Sequence, residues 1–311
     1  MIMQYDESFD VTRLTQEEID WIIENEEIVA IENNPKVKNG TITIGNRVIR
    51  NRSNAREGIM GMLNKKRQKE RQEEYGKRVS SGADNGKIRI VSEGDSWFNY
   101  PTKMKETIDH IFDDFSIFSV GYAGDWLANI YKEQEYMQAI RLYKPDAFLI
   151  SGGGNDLVGG KRMLEILNEY EDGHTIGNLI KEDVFNSILE DFRVIYLEIF
   201  TQVKTENPDI KIVCHGYDYP YMEGKDKVWF GKPFKEKGIE NTQLQNEIGE
   251  YLIDRFNEMI SRVAASFDEV YYISHVGQVP RNQWKDELHP NEEGFKVVAS
   301  NFRNKVNNLF R

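Results

Sequence analysis

The sequence predicts an α/β fold in which helices cover both faces of a parallel sheet. From Lys87 onward, short apolar runs rich in β-branched residues alternate with longer segments whose apolar residues recur at helical spacing. This alternation is typical of parallel sheets, because each strand returns to the next through a helix packed on one face. The chain has 311 residues, 39% of them hydrophobic, which is enough for one large domain or a domain with an appendage.

Five apolar runs are predicted as strands, and the helical segments between them are long. The strands lie at 88–91, 116–120, 147–151, 210–215 and 269–274, and the main helices at 126–142, 184–204 and 243–265. Two further segments, 157–178 and 221–241, follow the third and fourth strands. Because both leave the carboxyl edge of the sheet, either could form a lid or a plain surface excursion.

The first 86 residues have a different pattern. Residues 15–18 read as the capping-box start of a short helix, and 41–49 alternate like a small hairpin. Residues 64–74 form a charged helical stretch, followed by a linker-like segment at 80–86. We therefore expect an N-terminal appendage over 1–86 and the α/β domain over 87–311. The charged helix could dock a protein partner, although a solvated helix with i,i+4 charge pairs is favoured.

Charge and cysteine content restrict the class of protein. The net charge of −12 disfavours nucleic acid as a partner, since binding phosphate needs a basic surface. Cys214 is the only cysteine, so no intrachain disulfide can form, as expected in a reducing compartment. The chain shows no signal-like start and no stretch of 18 apolar residues. We expect a cytoplasmic protein without a membrane span.

A candidate nucleophile follows the first strand of the predicted sheet. There the sequence reads Gly94-Asp95-Ser96, which is either an ordinary turn with a helix N-cap or a serine held at the sheet edge where open α/β folds place their sites. A serine hydroxyl needs a histidine to take its proton and an acid to orient that histidine. Asp286 and His289, three residues apart on one turn, could supply both, before Asn291 caps the last helix.

Hydrogen-bond donors for an oxyanion follow the other strands. The third strand runs into 151–156, which contains three glycines and then Asn155, whose carboxamide is a neutral donor. The second strand runs into 120–126, where Gly124 or, less suitably, Gly121 offers a backbone N–H. The N–H of Ser96, at the start of a predicted helix, is a third candidate.

These blocks together are more specific than any one of them. Gly94-Asp95-Ser96, Gly124, Gly154-Asn155-Asp156 and Asp286-x-x-His289-Pro290, in this order and each after a predicted strand, resemble the SGNH, or GDSL-type, serine esterase family over 87–311. The resemblance implies a three-layer α/β/α sandwich with a flavodoxin-like strand order, 2-1-3-4-5. It implies roles for five residues: Ser96 as nucleophile, His289 as base, Asp286 as its orienting partner, and Ser96, Gly124 and Asn155 as the oxyanion hole.

The implied activity is hydrolysis of an acyl ester or thioester through an acyl-serine intermediate, with no cofactor. Trp97, where the family name expects leucine, is expected to bind substrate together with Tyr122 and Trp126. A lipid-like ester and an acetylated carbohydrate both remain open as substrates. Acyl transfer on the same triad and a non-catalytic binding or scaffold module are the alternatives.

Other residues of the same loops are expected to be structural. Asp95 and Asp156 stand beside glycines in turns, where aspartates fix loop geometry. The glycine stretch after the third strand departs from the phosphate-loop pattern, and no metal-ligand spacing occurs, so no metal is expected. Residues 215–220 leave the fourth strand and could line the pocket or form only a turn.

Overall fold

The computed structural model describes residues 14–15, 17–19, 22, 40–51, 55–56, 58–159, 161–223 and 229–311. A small antiparallel hairpin comes first, formed by β1 (Gly40–Ile44) and β2 (Arg47–Asn51). The central sheet consists of β3 (Arg89–Glu93), β4 (Ser116–Ser119), β5 (Ala147–Ile150), β6 (Lys211–His215) and β7 (Val270–Ile273). Its order is β4-β3-β5-β6-β7, and all neighbouring pairs are parallel. The predicted sheet order is confirmed, with strand ends within two residues.

Helices flank the sheet on both sides. They are α1 (Gly58–Ser81), α2 (Thr107–Ile111), α3 (Leu127–Glu133), α4 (Glu135–Tyr143), α5 (Gly154–Val158), α6 (Arg162–Ile166), α7 (Ile176–Leu179), α8 (Glu182–Glu206), α9 (Gly231–Glu236), α10 (Thr242–Ala264) and α11 (Glu292–Leu309). Helix α8 packs against α3, α4 and α10, whereas α11 packs against α2 and α1 lies against β4. The result is the predicted three-layer α/β/α architecture. None of the described helices is both long and apolar enough to cross a bilayer.

The single helix predicted over 126–142 is wrong. Gln134 adopts a left-handed conformation, with φ of 54°, and separates α3 from α4. Its side chain donates to Gln202 of α8 at 3.3 Å, and the hydroxyl of Tyr136 donates to the same oxygen at 3.0 Å. Non-glycine residues rarely adopt this backbone conformation, and here it occurs together with contacts to a neighbouring helix. The spacing of apolar residues in the sequence cannot reveal such a break.

The N-terminal predictions fall partly within the described residues. The capping box is present, with the N–H of Glu18 donating to Thr15 Oγ1 at 3.2 Å and the N–H of Thr15 to Glu18 Oε2 at 2.8 Å. The hairpin and the charged helix are also confirmed. Helix α1 carries exposed ion pairs such as Lys69 with Glu73, but its side facing the sheet contains buried polar groups. The division of the chain at residue 86 stays a prediction.

The loops after β3 and β4 contact each other at two glycines. A Cβ atom on Gly121 would lie 2.7 Å from the carbonyl oxygen of Gly94, so only glycine fits at this contact. The N–H of Tyr122 donates to the same oxygen at 2.8 Å. This close approach brings the two loops together at the carboxyl edge of the sheet, where open α/β folds bind ligands.

Candidate active site

Three predicted residues form a continuous hydrogen-bonded chain at this edge. Ser96 Oγ lies 2.8 Å from His289 Nε2, and His289 Nδ1 lies 2.9 Å from each carboxylate oxygen of Asp286. All three are largely buried. With Nδ1 facing a carboxylate, the proton of a neutral imidazole belongs on Nδ1, which leaves Nε2 free to accept the serine proton.

The backbone around Ser96 is fixed by Asp95. Asp95 Oδ1 accepts from the N–H of Trp97 at 3.0 Å and from the Ser151 hydroxyl at 2.8 Å, and the hydroxyl of Tyr217 donates to Oδ2. Ser96 stands in a turn, and the next helix, α2, begins at Thr107. The expectation that a helix starts at Ser96 is therefore wrong, because Asp95 closes a local turn instead.

The loop carrying the histidine is equally constrained. Asp286 Oδ1 accepts from the N–H groups of Leu288 and His289 at 2.8 and 2.9 Å. Burial opposes ionisation of this carboxyl, but His289 and these hydrogen bonds outweigh it and lower the pKa of Asp286. The indole N–H of Trp97 donates to the Leu288 carbonyl at 3.2 Å, so the loop after Ser96 and the loop of His289 contact each other directly. Asn291 caps α11, as expected.

The predicted oxyanion donors lie on the loops after β4 and β5. Gly124 has a φ of 75°, a conformation that favours glycine. Asn155 borders the pocket described below, and its Nδ2 donates to the Asp125 carbonyl at 3.1 Å, joining the two loops. Asp156 accepts from the N–H of Leu127 at 2.7 Å, in the structural role expected. Burial raises the pKa of Asp156 to about 7.

A pocket opens beside Ser96 and His289. Its walls combine the polar groups of the site with an apolar side formed by Trp97, Leu157, Val158, Phe230, Ile253, Trp284 and Leu288. Trp97, one of the three residues predicted to contact substrate, thus lines this pocket. Apolar walls with a few convergent polar groups are typical of small-ligand sites.

The other two predicted substrate residues do not line this pocket. The ring of Tyr122 is covered by the Arg56 guanidinium, 4.0 Å from its centroid, and its hydroxyl donates to Gln68 at 3.2 Å. Trp126 is buried with Arg162 over its ring at 5.7 Å. Their role as substrate contacts stays a prediction.

Sequence reasoning missed two residues that shape the pocket and left a third open. The side chain of Phe230 is fully buried and forms part of the apolar wall, and Glu287, next to Asp286, accepts from the N–H of Phe230 at 2.7 Å. Neither residue is marked by a local sequence pattern, because Phe230 is distant in sequence from the other site residues and Glu287 is one of several acidic residues near His289. Tyr217 belongs to 215–220, which did suggest a pocket wall, and its hydroxyl accepts from the N–H of Gly154 at 3.2 Å.

The segments 157–178 and 221–241 contact each other beside the pocket. The N–H of Tyr170 donates to the Lys237 carbonyl at 2.8 Å, and the Lys237 ammonium pairs with Glu169 at 2.7 Å. Residues 160 and 224–228 of these segments lie outside the described residues. Both segments reach the pocket wall, the first through Leu157 and Val158 and the second through Phe230. A lid function stays a prediction.

Two buried histidines lie behind the site. His215 stacks on Trp97, with ring centroids 5.6 Å apart, and His275 lies 5.2 Å from His215. Burial lowers the pKa of His215 to about 4 and that of His275 well below its usual value, so both are neutral packing residues. Among the described residues, no group of histidine, cysteine or acidic side chains is arranged to hold a metal ion.

Several solved structures and one family model are similar to this chain. Solved structures similar to this chain include a family 3 carbohydrate esterase from Clostridium thermocellum, with 16% identity, a TM-score of 0.44 and coverage of 70% of this chain and 94% of that one. A second is phospholipase A1 from Streptomyces albidoflavus, with 15% identity, a TM-score of 0.42 and coverage of 70% of this chain and 100% of that one. A third is an extracellular lipase from Streptomyces rimosus, with 12% identity, a TM-score of 0.45 and coverage of 70% of this chain and 99% of that one. No curated protein matches. The sequence model of the GDSL-like lipase/acylhydrolase family, however, matches residues 75–297, and the chain belongs to that family.

Proposed function

We propose that this protein hydrolyses a carboxylic ester through an acyl-Ser96 intermediate. The observation that carries the proposal is the 2.8 Å contact between Ser96 Oγ and His289 Nε2, with Asp286 at the other imidazole nitrogen. As Oγ attacks the ester carbonyl carbon, its proton passes to Nε2. The tetrahedral intermediate collapses, the bond to the alcohol oxygen breaks, and the departing alcohol takes that proton. Water then attacks acyl-Ser96 while Nε2 takes a proton from it, and the acid leaves as Oγ is reprotonated.

Asp286 and the loop donors stabilise the charges that form during these steps. The Asp286 carboxylate faces the imidazolium that exists while Nε2 holds the serine proton. The backbone N–H groups of Ser96 and Gly124 and the Asn155 carboxamide are assigned to the developing oxyanion, where preorganised donors contribute most. Every group in this scheme comes from the chain itself, so the reaction needs no cofactor.

The pocket favours an acyl group over a sugar at this position. Its wall opposite the polar groups consists of aliphatic and aromatic side chains, which suit a hydrocarbon chain better than a ring of hydroxyls. We therefore infer that the acyl part of the ester occupies this pocket and that the alcohol part lies towards solvent.

A fluorophosphonate probe and p-nitrophenyl esters test this proposal. Wild-type protein is expected to react covalently with the probe and to hydrolyse p-nitrophenyl acetate or butyrate, whereas Ser96→Ala does neither. Ser92→Ala is the matched control, because Ser92 is a buried serine of β3, four residues before Ser96. It should retain both reactions. A wild-type protein that neither labels nor hydrolyses, or a Ser96→Ala variant at full rate, contradicts the proposal. Adding a second alcohol and analysing the products separates hydrolysis from acyl transfer.

A further inference from the structure

A buried asparagine of α1 connects the two loops that meet at the site. Asn64 is fully buried, and it lies before the segment 75–297 that matches the family. Its Oδ1 accepts from the N–H of Ala123 at 3.0 Å and from Asn99 Nδ2 at 3.3 Å. Its Nδ2 donates to the carbonyls of Ala55 and Ala123, at 2.8 and 2.9 Å. Thus one carboxamide holds both backbone groups of Ala123 and also reaches the loop that follows Ser96.

The orientation of this carboxamide is determined by its partners. The Ala123 N–H can only donate and the Ala55 and Ala123 carbonyls can only accept, so exchanging oxygen and nitrogen would break three of the four contacts. Ala123 lies beyond the end of β4, where no neighbouring strand pairs with it. Asn64 therefore supplies to Ala123 the donor and acceptor that a strand would supply elsewhere in the sheet.

Both contacts lie close to the proposed reacting groups. Ala123 immediately precedes Gly124, whose N–H is assigned to the oxyanion, and Asn99 stands three residues after Ser96. Donors to an oxyanion must be placed within a few tenths of an ångström. The spacing of these two loops therefore affects the free energy of the transition state more than that of the bound substrate. We propose that Asn64 is a positioning residue that sets the Gly124 loop against the Ser96 loop, an inference that rests on the proposed esterase function.

A second buried side chain of α1 supports this role for the helix. Arg71 is only 4% exposed, and one of its guanidinium nitrogens donates to the Phe98 carbonyl at 2.6 Å. The guanidinium also pairs with Glu106, which caps α2. Helix α1 thus contacts the nucleophile loop at Phe98 and Asn99 and the Gly124 loop at Ala123. Besides the exposed ion pair predicted for it, this helix supports both loops from behind with buried side chains.

The test replaces Asn64 with a side chain of similar volume that cannot form hydrogen bonds. Asn64→Leu is expected to lower kcat for p-nitrophenyl butyrate by about 10- to 100-fold and to change KM by less than about twofold, since ground-state contacts are kept. A boronic acid inhibitor, which mimics the tetrahedral intermediate, should bind more weakly by a similar factor. Val203→Ala is the control. Val203 is a buried residue near the carboxyl end of α8, at the opposite edge of the sheet, and its loss should destabilise the protein without changing kcat.

Each outcome bears on a specific claim. If wild type is active, Ser96→Ala is inactive and folded Asn64→Leu keeps kcat within twofold, this inference is overturned while the esterase proposal stands. If wild type itself is inactive, the esterase proposal fails first. Should Asn64→Leu not fold, Asn64→Ala is measured instead, because the vacated space admits water to the freed backbone groups. Loss of folding in both variants would assign Asn64 to stability alone and overturn the positioning role.

Discussion

The carboxylate of Glu287 accepts a hydrogen bond from the backbone N–H of Phe230, at 2.7 Å, and another from the adjacent Gly231, at 2.9 Å. This contact joins two regions that lie 57 residues apart. One is the loop that carries Asp286 and His289, and the other is the segment that places Phe230 in the pocket wall. Glu287, one of the two residues between Asp286 and His289, thus holds the Phe230 part of the pocket wall in place.

Glu287→Gln should weaken this connection without removing bulk. A carboxamide offers one oxygen in place of two, so one of the two N–H groups loses its acceptor and faces an NH₂ donor. We expect stability to fall by about 1 to 3 kcal/mol and KM for short-chain esters to rise more than kcat falls, because the pocket wall loosens. Urea unfolding and steady-state kinetics measure both effects. Glu293→Gln, at an exposed residue of α11, should change neither; equal effects in the two variants would remove Glu287 from this role.

Phe230 is expected to limit the length of the acyl chain. Phe230→Leu removes part of an aromatic ring from the wall, so relative activity on p-nitrophenyl esters should shift from acetate and butyrate towards hexanoate and octanoate, by several-fold. The measurement is kcat/KM across the ester series. Phe200→Leu, at an equally buried residue of α8 that does not line the pocket, serves as the control for lost packing. An unchanged chain-length profile in Phe230→Leu would show that the acyl group lies elsewhere.

Asp286→Asn should retain the fold and lose most of the activity. The variant keeps an oxygen for the backbone N–H groups of Leu288 and His289, but it no longer carries the charge that stabilises the imidazolium. We expect kcat to fall by roughly 10³- to 10⁴-fold, as for other triads of this type. Because the three residues act as a unit, combining this change with Ser96→Ala should lower the rate no further than Ser96→Ala alone. Activity near that of wild type in Asp286→Asn would exclude Asp286 as the orienting acid.

Asp156 makes stability depend on pH in a direction opposite to most carboxylates. Burial raises its pKa to about 7, so the folded protein holds this proton over a range in which the unfolded chain has released it. The stabilising contribution is present below the unfolded pKa, near 4, and is lost as the pH rises through about 7. Asp156→Asn should reduce the fall in unfolding free energy between pH 4 and 8 by roughly 2 to 4 kcal/mol. Exposed Asp172→Asn is the control; the same pH profile in wild type and Asp156→Asn would contradict this assignment.

Much of the site could be predicted because its members follow the strands of a parallel sheet. Ser96, Gly124 and Asn155 come directly after three such strands, whose carboxyl ends meet at one edge. Asp286 and His289 are neighbours on one turn, so their contact is a local property of the chain. The cap on α11 follows from a local pattern and the sheet order from the family resemblance, and the structure confirms both.

What the sequence did not predict concerns contacts between distant segments. The break at Gln134 coincides with contacts to Gln202 of α8, 68 residues away. Of the three aromatic residues predicted to contact substrate, Trp97 lines the pocket, whereas Tyr122 and Trp126 are buried elsewhere. A helix rich in charge turned out to bury Asn64 and Arg71, because the loops beyond β3 and β4 expose unpaired backbone groups that these side chains satisfy.

The sequence alone determined the α/β class, the order of the chemical blocks and the pairing of Asp286 with His289, since each depends on periodicity or on residues a few positions apart. Only the tertiary structure decided which side chains surround Ser96. Segments far apart in the chain contribute the residues that contact the site or its loops, namely Phe230, Glu287, Tyr217 and Asn64. Their positions depend on hydrogen bonding and burial in three dimensions, which no local sequence pattern indicates.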